Sequence, residues 1–330
     1  MKVSASRLAA CGFSLLLLVT GVECGGGKYH WYTMFMFGDS FVDTGNLPKT
    51  GGRSPLSRQW HWPYGTFNGG RSGNPIGRFS NYLVQSDVIG SVRSGIKHYC
   101  DPSGMTFAVG GAGVYDVPDR LPTLAQQICN FKRLIKDGTI SKWHLADSVA
   151  LVAISGNDYA HATNSSDMIG FIRNVTTEIA ANVKRLQKLG VKKVLVNDLH
   201  PVGCTPWLSR TTNYTVCDAR GNMAATFHNT YLRKSLANTR NVHILDLNTA
   251  FTKILSGKGS KLQHKLTPCC ESFDPEGYCG QRGNKSERLY TVCTNPDQYF
   301  YWDSVHPTQA GWEAVMKQLQ KPMLHFLTHN

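Results

Sequence analysis

The chain predicts an α/β fold: a parallel sheet with helices on both faces. Three observations carry this. Short apolar, β-branched runs alternate with longer stretches of helical period. No internal repeat, heptad pattern or long low-complexity linker interrupts them. The 330 residues, 41% hydrophobic and 17% charged, are enough for one large α/β domain or two small ones with a sizeable core.

The elements follow in order. Residues 1–24 open with Lys2 and Arg7, an apolar stretch from Leu8 to Val22 and then small residues, the layout of a cleaved secretory signal; an uncleaved Golgi-type anchor is the alternative. The stretch is short for a span that needs about 20 apolar residues. Strands are expected at Trp31–Phe37, Met105–Val109, Ser148–Ile154, Lys193–Asn197 and Val242–Leu247, each a compact apolar run. Amphipathic helices are expected at Leu121–Lys136, at Ile169–Leu189 with its apolar stripe through Ile172, Ile179, Val183 and Leu186, and at Met223–Ala237. A last helix, Pro307–Leu327, places its proline in the first turn.

Parallel sheets bind ligands at the carboxyl ends of their strands, so chemistry should gather there. Ser40 follows the first strand in "FMFGDSFVDTGN", "VGGAG" follows the second, and "SGND" follows the third. Near the end, "YWDSVHPT" puts Asp303 and His306 three apart, close enough for one turn to set them side by side. A serine nucleophile needs a base beside its hydroxyl and an anion to hold that base in the right tautomer. Gly111 can leave a backbone N–H free for an oxyanion, and the Asn157 amide is an uncharged donor for the same purpose. Each fragment also has a structural reading, as a turn, a helix cap or a loop needing positive φ.

In this order the blocks resemble the GDSL esterases and lipases of the SGNH hydrolase superfamily, particularly the secreted plant branch. "FMFGDSFVDTGN", "FAVGGAG", "SGND" and "WDSVHPT" match its blocks, and "PYG", "GRFSN", "GCTP" and the "CC…C…C" stretch are similar to its plant members. The resemblance spans Phe35 to Leu327. It implies a single domain over 25–330, a three-layer sandwich around a flavodoxin-like parallel sheet of about five strands. It further implies Ser40, Asp303 and His306 as catalytic residues and the Ser40 N–H, Gly111 N–H and Asn157 side chain as oxyanion donors. No cofactor or metal is required. Thr106 stands where the second block usually has Asn, and Tyr82 stands where a glycine is frequent. No G-x-S-x-G occurs, which argues against a nucleophile elbow. Activity is expected to fall as His306 is protonated, giving a neutral to alkaline optimum.

Substrate and compartment rest on weaker signals. Trp60, Trp62 and Tyr64 precede the second strand and are expected to border the cleft, where rings can stack on sugars. This suggests an acetylated wall polysaccharide such as xylan; acyl lipids, small esters and acyl transfer to an alcohol are the alternatives, with a non-catalytic wall-binding protein a further one. Four N-glycosylation sequons, at Asn164, Asn174, Asn213 and Asn284, fit the secretory route. So does an even set of cysteines after residue 24: Cys100, Cys129, Cys204, Cys217, Cys269, Cys270, Cys279 and Cys293. Cys204 and Cys217 are expected to close a short loop, and the last four to staple a C-terminal one. The adjacent Cys269–Cys270 pair and the lack of CxxC spacing argue against zinc there. The formal charge of +13 becomes +12 when the leader takes two cations and one anion with it. That charge suits an acidic surface such as a polyanionic wall or membrane face, and no basic run with interleaved aromatics marks a nucleic-acid binder. A secreted, wall-located monomer without stable membrane insertion is the expectation, the Golgi lumen the alternative.

Overall fold

The computed structural model describes residues 32–49, 53–68, 71–92, 104–115, 120–160 and 167–329. The leader, Cys100 and Asn164 lie outside them. The strands β1 (Thr33–Gly38), β2 (Gly104–Thr106), β3 (Ser148–Ala153), β4 (Lys193–Asn197) and β5 (Val242–Leu245) form one sheet in the order β2-β1-β3-β4-β5. Every neighbouring pair is parallel, with Met34 opposite Val149, Val149 opposite Lys193 and Val194 opposite Val242. This is the flavodoxin-like order, whose switch point lies between β1 and β3. All residues of β3 and β4 are buried, as central strands covered on both faces require.

Alternate side chains of β1 feed two cores. Met34 joins Leu151, Leu195, Phe251, Trp312 and Met316 under α1 (Gln85–Val92), α5 (Leu247–Ser256) and α6 (Gln309–Thr328). Phe35 and Phe37 join Ile128, Phe131, Ile179 and Leu232 under α2 (Leu124–Lys136), α3 (Met168–Lys188) and α4 (Ala219–Leu236) on the other face.

Several boundaries differ from expectation, the largest shift being α4, which starts at Ala219 because Asp218 caps it and accepts from the Gly221 N–H. β2 ends at Thr106, where Asn46 donates its side-chain amide to the carbonyls of Thr106 and Ala108, although the Phe107 and Val109 N–H groups still reach the Met36 and Gly38 carbonyls of β1. β5 stops at Leu245 because Asp246 caps α5, accepting from the Thr249 N–H. Pro307 precedes α6 rather than entering it; Thr308 is the cap and accepts from the Gly311 N–H at 2.9 Å.

Beyond the sheet, β6 (His264–Pro268) pairs in parallel with β9 (Tyr299–Tyr301), and β7 (Cys270–Ser272) pairs antiparallel with β8 (Tyr290–Val292). Disulfides join Cys204 to Cys217, Cys269 to Cys293 and Cys270 to Cys279. Cys129, exposed on α2, has no disulfide partner among the described residues.

Candidate active site

Ser40 leaves β1 through a turn that only glycine can start. Gly38 has φ +133°, and a Cβ there would lie 1.8 Å from the Ala153 carbonyl oxygen. The Gln127 side chain holds the Gly38 N–H and C=O, each at 2.8 Å. Val42 and Asp43 donate their N–H groups to the Asp39 carbonyl, so the chain turns sharply around Ser40. The Ser40 N–H finds no protein acceptor among the described residues.

Facing it is the loop Asp303–His306, closed by the Trp302 N–H on the His306 carbonyl at 2.7 Å. Asp303 Oδ1 accepts the N–H groups of Val305 and His306 at 3.0 and 2.8 Å, an Asx turn that aims the carboxylate at its own histidine. His306 Nδ1 lies 2.9 Å from both Asp303 oxygens, and its Nε2 lies 2.8 Å from Ser40 Oγ. Phe79 stacks on the imidazole with centroids 5.1 Å apart.

Behind the carboxylate sits a pair that the sequence does not announce. Tyr64 donates its hydroxyl to Asp303 Oδ2 at 2.6 Å, and Arg58 Nε donates to the Tyr64 oxygen at 2.9 Å. An Arg58 terminal nitrogen is 3.5 Å from the same Oδ2. Burial would raise the Asp303 carboxyl, but His306, Arg58 and the Tyr64 hydroxyl hold it well below the usual carboxylate range.

On the opposite side, Gly110 spends its N–H on Asp43 Oδ2 at 2.8 Å, while Gly111, at φ +83°, has an N–H with no protein acceptor among the described residues. Asn157 opens the short helix after β3. Its amide donates to the Ala112 carbonyl at 2.9 Å and to Asp39 Oδ2 at 3.2 Å, so both hydrogens already have protein acceptors. That same Asp39 oxygen accepts the Ser155 N–H and hydroxyl at 2.6 and 2.7 Å. Burial nevertheless pushes the Asp39 carboxyl up to about 6.

A family model described as GDSL-like lipase/acylhydrolase matches residues 34–319. The chain belongs to this family. A GDSL esterase/lipase of Arabidopsis thaliana is 35% identical over 338 residues, covering 92% of each chain, and another from the same plant is 34% identical, covering 87% of each. These GDSL relatives make the chain an ester hydrolase. Among solved structures, an acetylxylan esterase from Geobacillus stearothermophilus is similar over 90% of this chain and 94% of that one, at 13% identity and TM-score 0.42, a likeness too distant to speak to substrate.

Of the three expected rim aromatics in this GDSL chain, Tyr64 is placed differently. Tyr64 is fully buried between Phe79 and Trp302 with its hydroxyl on Asp303, so it offers no face to a substrate. The local sequence shows a tyrosine but not which way it points. Trp60 is half-buried and donates its indole N–H to the Leu47 carbonyl at 2.7 Å. Trp62 is half-buried beneath the Arg288 guanidinium, 4.4 Å from its ring centroid. An aromatic that pattern reading missed is Trp207, 52% exposed, whose backbone N–H donates to the Ser304 carbonyl at 2.8 Å, between Asp303 and His306. No periodicity marks it; only its place after the fourth strand hints at the site. Asn174, Asn213 and Asn284 are all exposed. The four C-terminal cysteines are consumed in disulfides, leaving no thiolate there for zinc.

Proposed function

We propose that this GDSL hydrolase is a secreted serine esterase that works through an acyl-enzyme. The row from Ser40 Oγ through His306 to Asp303, 2.8 and 2.9 Å per step, is the observation that carries the reading. His306 Nε2 takes the Ser40 proton as the oxygen attacks an ester carbonyl, while Asp303 keeps the other ring nitrogen protonated and stabilises the imidazolium. The tetrahedral oxyanion meets the N–H groups of Ser40 and Gly111. Asn157 joins them by turning its longer contact, that to Asp39, toward the oxyanion. His306 then protonates the departing alcohol, and water repeats the sequence to release the acid and free Ser40. No step calls for a metal or organic cofactor.

For substrate we favour an acetylated wall polysaccharide such as xylan. Support comes from the net positive charge, from the secretory leader pattern with its exposed sequons, and from the exposed Trp207, whose backbone N–H is held by the Ser304 carbonyl in the Asp303–His306 loop. An indole face stacks on a sugar ring at little entropic cost, so Trp207 can serve as a platform in place of the buried Tyr64 of the expected Trp60, Trp62 and Tyr64 set. Purified protein is expected to release acetate from acetylated xylan, and Ser40→Ala to abolish this. Release from long-chain acyl esters but not from xylan would overturn the substrate. An unchanged rate in Ser40→Ala would overturn the enzyme mechanism. Product esterified to an added alcohol, in place of free acid, would identify a transferase.

A further inference from the structure

The proposed mechanism uses Asp303 against His306 Nδ1, yet leaves the further partners of its Oδ2 unexplained. That oxygen accepts the Tyr64 hydroxyl at 2.6 Å and faces Arg58 at 3.5 Å, while Arg58 also donates to the Tyr64 oxygen. All three groups are largely buried, with the Arg58 side chain 16% exposed and that of Asp303 3%. Phe79 ties the pair to the base, since its ring stacks on His306 and also lies 5.0 Å from the Arg58 guanidinium carbon.

We propose that Arg58 and Tyr64 are positioning residues that share the charge of Asp303 and so set how strongly it draws a proton onto His306. The inference rests on the acyl-enzyme reading above. A carboxylate that carried its full charge against the imidazole would hold His306 protonated to higher pH, and the base would be unusable over more of the working range. Dividing that charge with a guanidinium and a phenol lowers the pull and fixes the carboxylate plane. Tyr64 stays a donor throughout, because burial and Asp303 keep its hydroxyl well above the usual phenol range. Other titratable groups nearby turn no charge toward the imidazole. His200 follows β4, reaches the base across Phe41 and is pushed down to about 3 by burial and by His306. Tyr278, facing Arg58, is raised by burial. Asp39 turns its carboxylate toward Ser155 and Asn157, and not toward the imidazole.

The test is the pH profile of kcat and kcat/KM on p-nitrophenyl acetate for wild type, Ser40→Ala, Arg58→Met, Arg58→Lys and Tyr64→Phe. Arg58→Met should move the acid limb upward by about one pH unit and Tyr64→Phe by about half a unit, with kcat falling about tenfold and KM unchanged. Arg58→Lys, which restores a cation, should return the limb most of the way. If Arg58→Met does not fold, the Lys and Phe variants decide. Folded variants whose limbs coincide with wild type overturn the inference while an inactive Ser40→Ala leaves the acyl-enzyme reading standing. An active Ser40→Ala overturns that reading, and the inference with it.

Discussion

Two buried carboxylates flank the Ser40–His306 pair, and their surroundings drive them in opposite directions. Asp39 accepts the N–H groups of Phe41 and Ser155, the Ser155 hydroxyl and the Asn157 amide, all neutral donors. Asp303 accepts two backbone N–H groups and a phenol, but it also faces Arg58 and the imidazole. Both lose almost all contact with water. Asp39 ends near 6 and Asp303 well below the usual range. Good hydrogen bonds from uncharged groups therefore fail to offset desolvation here, whereas the facing imidazole together with the buried Arg58 succeeds. Asp198 shows the limit of that rule. Its partner Arg233 sits at 2.7 Å but is nearly half exposed, and burial together with Asp246 leaves Asp198 raised to about 7.

The contrast is open to attack at several strengths. Asp303→Asn should strike hardest, lowering kcat by about 10⁴ because an amide cannot hold the imidazolium or its tautomer. Asp39→Asn should leave kcat within about tenfold of wild type if its charge is dispensable; equal losses in the two variants would erase the distinction. Next, Asn157→Ala should cost about 10²–10³ in kcat with KM little changed, the usual cost of one oxyanion donor. Retained activity would restrict that role to the two backbone N–H groups.

Stability gives a third, smaller effect. The folded state raises Asp39 from 3.8 to about 6, so its protonated form favours folding at low pH, and that contribution is lost as pH rises through about 6. The loss is about 3 kcal/mol, measurable by urea unfolding on either side of that window. Asp39→Asn should flatten the slope there, and Asp303→Asn should not. The Asp303 contribution runs the other way, being present above the ordinary carboxylate range and lost only in strong acid. Smallest of all, Trp207→Ala should raise KM for acetylated xylan by about threefold to tenfold and leave p-nitrophenyl acetate turnover and its pH profile in place. Trp207 touches neither carboxylate, so a moved acid limb in that variant would blur the comparison.

The sheet was legible because buried parallel strands must be continuous apolar runs, and β3 and β4 are written that way over their whole length. The α1 and α5 helices were not, since Gln85–Val92 is short and Leu247–Ser256 merges with the apolar run of β5. Ser40, Asp303 and His306 stood out by order and spacing. Arg58 could not, because its partner lies at the far end of the chain and nothing local reports that distance. Tyr64 was visible but misdirected: a phenol beside tryptophans serves equally as a stacking ring or as a buried donor, and only tertiary packing chooses.

The loop that carries His306 hangs from oxidised sulfur. Cys269 and Cys270 donate their N–H groups to the carbonyls of Tyr301 and Trp302, immediately ahead of Asp303, and each cysteine is tied onward to Cys293 or Cys279. Ser40, by contrast, follows a strand that carries no disulfide among the described residues. Reductant should therefore silence the enzyme while its sheet still stands, and a freshly made chain acquires its chemistry only after those thiols have been joined.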